Sequence, residues 1–221
     1  MCHNITMLST DKQVAALVAC FRQGTKLSYQ KGEYILRPGE VPSGVFYIEK
    51  GLVKAFNISK YGEENLLIIR REHEIFPLIW AITGQERSII YQALSPTTVW
   101  RLSRDDYMKF LSSHNDALPP ILDMAVELYR RHSERILNLQ YRTVRERVIS
   151  FLLTMSQRFG ENKNGGIYIN VPLRQQDIAS SINASRETAS RELTYLERKG
   201  LIKTDPPFIT LKDVKKLNSY L

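Results

Sequence analysis

The chain has 221 residues, 43% hydrophobic, 24% charged and 10% aromatic, which excludes a disulfide-stapled miniprotein, a collagen-like repeat and a disordered chain, and suits one large or two medium domains. Lys and Arg number 31 against 23 Asp and Glu, a net charge of +8. The surplus is uneven: Met1–Tyr141 carries 17 basic and 15 acidic residues, whereas Arg142–Leu221 carries 14 and 8, so a polyanion belongs at the C-terminal end.

Cys2 and Cys20 are the two cysteines. They make no disulfide framework, no C-x-x-C pair and no set of thiolates for zinc or an iron-sulfur cluster, as expected of a reducing compartment. Met1–Thr10 lacks a basic start followed by an apolar run, and no stretch approaches 18 uninterrupted apolar residues. The expectation is a cytoplasmic protein that neither spans nor enters a membrane.

Along the chain, Asp11–Phe21 places Val14, Leu17, Val18 and Phe21 at steps of three and four, which predicts a short opening helix. From Thr25 to Leu102 short runs rich in Tyr, Ile, Val and Phe are broken by Lys31-Gly32, Pro38-Gly39, Lys50-Gly51, Tyr61-Gly62 and Thr83-Gly84. That punctuation predicts a β-sandwich or barrel, with the clearest strands at Val45–Ile48, Leu52–Ile58, Leu66–Ile69 and Val99–Leu102.

Asn115 or Asp116 can cap a long helix whose first turn tolerates Pro119 and Pro120, since the earliest helical amides have no partner within the helix. Continued to about Gln140, it aligns Leu122, Ala125, Tyr129, His132, Ile136 and Leu139 as a heptad seam for the same helix of a second chain, and adjacent Ile121 and Leu128 widen the stripe so that one side can rest on the β-domain. Periodicity resumes at Val144, Val148, Phe151, Leu152 and Met155 and stops at Gly160. Residues 162–166 read as a turn and Ile167–Val171 as a strand. Two helices follow, Arg174–Ile182 and Ser185–Lys199, then a hairpin over Leu201–Leu211 interrupted by Pro206-Pro207, and a terminal helix over Lys212–Leu221.

Two short helices joined by a tight turn and followed by a hairpin make a winged helix-turn-helix, whose second helix can enter the DNA major groove. At 100° per residue Arg186, Glu187, Ser190 and Arg191 share an arc of about 140°, while Ala189, Leu193 and Leu196 occupy a separate apolar arc. Arg can donate two hydrogen bonds to guanine, and Glu can accept from the cytosine amino group. Ser185 is a natural N-cap that places these readers in the first two turns. Gln175, Gln176, Ser185 and Thr188 suit phosphates, setting register without reading sequence. The bland alternative for Glu187 and Arg191, four residues apart, is a solvated surface ion pair.

Gln176-Asp177-Ile178-Ala179 and Ser185-Arg186-Glu187-Thr188-Ala189-Ser190-Arg191-Glu192-Leu193 resemble the DNA-reading motif of the CRP/FNR family of bacterial transcription regulators. Gly39-Glu40, Phe46-Tyr47-Ile48, Gly51-Leu52-Val53 and Tyr61-Gly62-Glu63 are similar to that family's barrel turns and strands. The resemblance covers nearly the whole chain. It implies an α+β protein with an N-terminal antiparallel β-barrel of jelly-roll type over 1–115, a dimerisation helix and linker over 116–141, and a winged helix-turn-helix over 142–221. It also implies a homodimer on a palindromic operator, with Arg186, Glu187 and Arg191 reading half-sites of TGTGA or TTGA type and Ser190 supplementing. Double-stranded DNA and RNA polymerase are the expected partners.

Gly84-Gln85-Glu86-Arg87-Ser88 resembles the second half of the family's phosphate cassette, so the resemblance puts Arg87 and Ser88 in an effector pocket, where a guanidinium and a hydroxyl suit an oxyanion. The first half departs: Glu74-Ile75-Phe76-Pro77-Leu78 stands where cyclic-nucleotide binders have Gly-Glu, with a bulky Phe76, no amide donor at Pro77 and no carboxylate at the matching point. Cyclic AMP is therefore disfavoured and no cofactor is expected; Arg87 and Ser88 either pair internally or hold another anion. His73 near the pocket loop and His132 on the seam read as a surface and an interface histidine rather than ligands. Two rival readings compete with this one. A metal-bearing cupin fails because His3, His73, His114 and His132 are scattered without a His-x-His pair, and no catalytic residues are expected. A cyclic-nucleotide-responsive module acting on a partner protein would lack sequence-dependent DNA affinity.

Overall fold

The computed structural model describes residues 8–163 and 165–221; Cys2 and His3, named above, and residue 164 of the expected turn lie outside the described residues. The chain forms two compact units. The first runs to Asn57 and resumes over Leu67–Arg131; the second comprises Ile58–Leu66 and His132–Leu221.

The first unit opens with α1 (Asp11–Phe21), started by a capping box in which the Thr10 hydroxyl accepts from the Gln13 amide and the Gln13 side chain accepts from the Thr10 amide. Strands follow: β1 (Thr25–Tyr29), β2 (Tyr34–Leu36), β3 (Val45–Lys50), β4 (Val53–Ile58), β5 (Glu64–Arg70) and β6 (Ile75–Phe76). Next come α2 (Leu78–Thr83), β7 (Ile90–Ala93), β8 (Thr97–Leu102) and α3 (Arg104–Ser113). A 3-10 turn at Asn115–Ala117 leads into α4 (Leu118–Tyr141), a continuous helix of 24 residues. α2 and α3 are not among the elements that periodicity predicts.

The strands form two four-stranded sheets, ordered β1-β8-β3-β6 and β2-β7-β4-β5. Between them lies one core, with Phe46 and Ile48 from β3, Val53 and Ala55 from β4, Phe76 from β6, Tyr91 from β7 and Val99 from β8. A second core gathers Leu17 and Phe21 of α1, Tyr107 and Leu111 of α3 and Ile121 of α4 around Val45 and Tyr47. β3 is thus buried on both faces, which is why Val45-Phe46-Tyr47-Ile48 is an uninterrupted apolar run instead of an alternating one. Burying each such large apolar side chain contributes about 1.5–3 kcal/mol. Gly51 turns β3 into β4 at φ +99°, and a Cβ there would stand 2.5 Å from the Pro96 carbonyl, so both backbone and space demand glycine.

The second unit carries α5 (Val144–Phe159), started by a capping box between Thr143 and Glu146. That box explains the break in periodicity after Tyr141: Thr143 leaves helical dihedrals to satisfy the first amides of α5. Beyond it lie β9 (Gly160–Lys163), β10 (Gly166–Ile169), α6 (Gln175–Ser181), α7 (Arg186–Arg198), β11 (Ile202–Asp205), β12 (Phe208–Leu211) and α8 (Val214–Asn218). The sheet order is β11-β12-β10-β9, antiparallel throughout. Two expectations are corrected here. Residues 162 and 163 belong to strand β9 and Gly166 to its partner β10, so of the expected turn residues that are described only Gly165 lies outside the strands. The terminal helix covers five residues, not ten, because Lys212 and Asp213 are spent on bonds to the Leu201 carbonyl and Asp213 caps α8.

Candidate nucleic-acid interface

α6 and α7 are joined through Ile182-Asn183-Ala184. Asn183 adopts φ +51°, a conformation that asparagine tolerates better than most residues, and the Ala184 amide donates to the Ala179 carbonyl at 3.0 Å. Ile178 and Ala179 of the first helix, Ile182 of the connection, and Ala189, Leu193 and Leu196 of the second helix are all buried, with Val148, Ile149 and Leu152 of α5 in the same unit. These apolar positions fix which way α7 turns its other face.

On that other face Arg186, Glu187 and Arg191 are exposed and Ser190 is half-buried. Ser185 is the N-cap: its hydroxyl accepts from the Thr188 amide at 3.1 Å and bonds the Thr188 hydroxyl at 3.0 Å. Thr188 also accepts from Arg191 Nη2 at 3.1 Å, which leans the Arg191 guanidinium toward the start of the helix. No ion pair is formed between Glu187 and Arg191 among the described residues; the Glu187 carboxyl is held below the usual carboxylate range by its own backbone amide first, then by the Ser185 hydroxyl and the charges of Arg186 and Arg191. It is an ionised acceptor set among donors. Gln175 and Gln176 are exposed on the first turn of α6.

Arg145 of α5 and Thr204 of β11 hold α7 in place. Arg145 of α5 donates to Glu192 at 2.7 Å and lies over the Tyr195 ring, 3.7 Å from its centroid. Glu197 accepts from the Thr204 amide at 2.7 Å and from its hydroxyl at 2.6 Å, tying the end of α7 to β11 of the wing. Arg174, which the sequence reading left aside, is the N-cap residue of α6. Its Nε and Nη2 donate to the two Asp177 oxygens at 2.9 and 2.8 Å, and Nη2 donates to Glu64 at 2.8 Å. These carboxylates, Asp177 foremost, hold the Arg174 guanidinium still more firmly protonated than usual. Glu64 lies 110 residues away, so no local spacing signals that pair.

In the first unit, Arg87 and Ser88 are exposed on the irregular segment between Gly84 and β7. Glu74 is an ion-pair partner of the buried Arg70 at 3.2 Å and lies 3.9 Å from Arg71. Pro77 opens α2 with no side-chain cap. His73 bonds the Tyr47 hydroxyl through Nδ1 at 2.6 Å and takes φ +70° in the turn before β6. Burial first, then the Asp106 charge, pushes the Cys20 thiol up to about 11, so it is an inert packing group. Of the seam on α4, Leu122, Ala125, Tyr129, His132 and Ile136 are exposed and Leu139 is half-buried, while Ile121 is packed into the core. Tyr129 is 75% exposed. Among the described residues no helix is long and apolar enough to cross a membrane, and no group of His, Cys, Asp and Glu is placed to hold a metal ion.

Comparison with known proteins agrees with this architecture. The Crp-like helix-turn-helix domain family matches residues 146–220, and the cyclic nucleotide-binding domain family matches residues 26–114. The chain is 30% identical over 190 residues to the global nitrogen regulator of Synechococcus elongatus, covering 83% of each chain. It is 24% identical over 203 residues to the CRP-like cAMP-activated global transcriptional regulator of Mycobacterium tuberculosis, covering 92% of this chain and 91% of the relative. Its fold is similar to that of FixK2 from Bradyrhizobium japonicum, with a TM-score of 0.76 at 23% identity over 89% of this chain and 96% of the other. The fold is α+β, with antiparallel sheets, a long helix and a C-terminal helix-turn-helix, and with these matches the chain belongs to the CRP/FNR family of DNA-binding transcription regulators, which are not enzymes.

Proposed function

We propose that the protein is a sequence-specific transcription regulator acting as a homodimer on a palindromic operator. The observation that carries this reading is the division of α7: Ala189, Leu193 and Leu196 are buried, which leaves Arg186, Glu187 and Arg191 exposed together on the opposite arc. Arg186 and Arg191 supply the paired donors that guanine O6 and N7 accept, Glu187 the acceptor for a cytosine amino group, and Ser190 an adaptable fourth contact. Half-sites of TGTGA or TTGA type fit that set. Gln175 and Gln176 hold phosphates; Ser185 and Thr188, whose hydroxyls are engaged in the cap, approach the backbone beside them.

The exposed apolar row of α4, with Leu122, Tyr129 and Ile136 each at least half exposed, is the surface that joins two chains. Such a dimer presents its recognition helices to successive major grooves about 34 Å apart. Arg87 and Ser88 are candidates for holding an anionic effector, although Pro77 and the engagement of Glu74 by Arg70 disfavour a cyclic nucleotide in the family manner. The regulator is controlled by a different effector or by none, works in the cytoplasm and meets RNA polymerase at its promoters. Selection of binding sites from random DNA, run with and without cyclic nucleotides, tests operator and ligand together. The expected result is one enriched palindrome, unchanged by cyclic AMP; no enrichment contradicts the regulator reading, and cyclic AMP dependence contradicts the effector reading.

A further inference from the structure

The hairpin between β4 and β5 is anchored in the second unit by more than one bond. The Leu66 amide donates to Ser180 Oγ on α6 at 3.2 Å. Arg135 of α4 donates from Nη1 to the Leu66 carbonyl at 2.9 Å and from Nη2 to Asn65 Oδ1 at 3.0 Å. Glu64, next in line, is thereby carried to Arg174 by a backbone that is itself held on both sides. The pair is a built contact and not two long side chains meeting by chance.

The two carboxylates on Arg174 differ. Asp177 belongs to α6, its side chain is 6% exposed, and it also accepts from the Arg174 backbone amide at 3.1 Å, so it fixes the direction of the guanidinium. Glu64 is 35% exposed and meets a guanidinium that is itself 55% exposed. A carboxylate and a phosphate present the same pair of anionic oxygens to a guanidinium, and Arg binds either in the same geometry. At such exposure, exchanging one anion for the other carries little desolvation cost. Gln175 and Gln176, assigned to DNA phosphates above, follow Arg174 directly in the chain.

We propose that Glu64 occupies the place of a DNA phosphate on Arg174, so that Arg174 is a phosphate-contacting residue and the β4–β5 hairpin is a brake on operator binding. This rests on the DNA-binding reading. Operator binding replaces Glu64 by a backbone phosphate while Asp177 keeps the guanidinium aimed. Anything that withdraws residues 64–66 from Ser180 and Arg135 then raises DNA affinity without touching the residues that read bases.

The test titrates the full-length chain with a duplex carrying the selected operator and compares wild type, Glu64→Gln, Glu63→Gln, Arg174→Ala and the Glu64→Gln/Arg174→Ala double variant. Glu63 is exposed one residue away and controls for the loss of one negative charge. Glu64→Gln should tighten binding by about two- to fivefold and Glu63→Gln by less. Arg174→Ala should weaken binding on every sequence alike, lower the salt slope by about one, and erase the gain from Glu64→Gln. Unchanged or weaker binding by Glu64→Gln, an equal gain from Glu63→Gln, or a gain that persists without Arg174 overturns the proposal. If Arg174→Ala does not fold, the comparison of Glu64→Gln with Glu63→Gln decides alone. A wild-type chain that binds while Glu64→Gln matches it defeats the brake only; a wild-type chain with no sequence preference defeats the regulator reading and the brake with it.

Discussion

Arg191 bonds Thr188, which bonds the Ser185 cap, so the guanidinium is preset before any nucleic acid arrives. Its loss removes both the donors and that ordering: Arg191→Ala should cost about 1–3 kcal/mol of operator affinity and relax preference at a single guanine, as read by competition among operator variants. Uniform weakening on every sequence would assign Arg191 to a phosphate instead. Glu127 on α4 offers a test in the free protein. Hydrogen bonds from Arg130 first and then Arg131 hold its carboxyl down to about 2, from an ordinary value near 4.5. A depressed carboxyl stabilises the fold above its unfolded value and ceases to do so as pH falls through its folded one. Thermal melts should therefore show stability from this group complete above about pH 4.5 and lost on descent toward pH 2. Glu127→Gln should flatten that part of the profile; an unaltered profile would contradict the pairing.

Among the elements, α4 carries the sharpest expectation. Tyr129→Asp puts a carboxylate into the exposed apolar row and should split the dimer and lower operator affinity steeply, as followed by sedimentation; a variant that stays dimeric removes this seam from the interface. Elements with strong periodicity or a glycine-marked turn were legible beforehand. Asp11–Phe21 forms the helix its spacing foretold, and α6 and α7 fall within a residue or so of the expected bounds. α3 was not, although Ser103 caps it and Asp105 and Asp106 favour its first turn, because Tyr107 and Leu111 are the apolar chains it buries and a polar helix of ten residues leaves a faint stripe. β9 was missed because Gly160-Glu161-Asn162-Lys163 is exposed throughout and owes its strand form to backbone pairing with β10, which residue types do not disclose. The exposed face of α7 proposed to read bases is local to one helix, so its arc could be drawn from spacing alone; Arg174 and Glu64 meet only through tertiary structure.

For the molecule as a whole, the two units divide the work. One provides a sandwich with an outer shell of helices, and the other a helix-turn-helix with its wing and the Ile58–Leu66 hairpin. Most of the positive surplus, 14 basic against 8 acidic residues, lies in the last 80 residues, so non-specific attraction to DNA and the face proposed to read bases share one end of the chain. Nuclease footprinting of the purified chain on its own upstream DNA and on selected duplexes tests the central claim most directly. Protection of one two-fold symmetric site, with half-sites about 34 Å apart and lost in Arg191→Ala, is the expected outcome. Absence of any protected palindrome at low ionic strength, where electrostatic attraction is strongest, would contradict it.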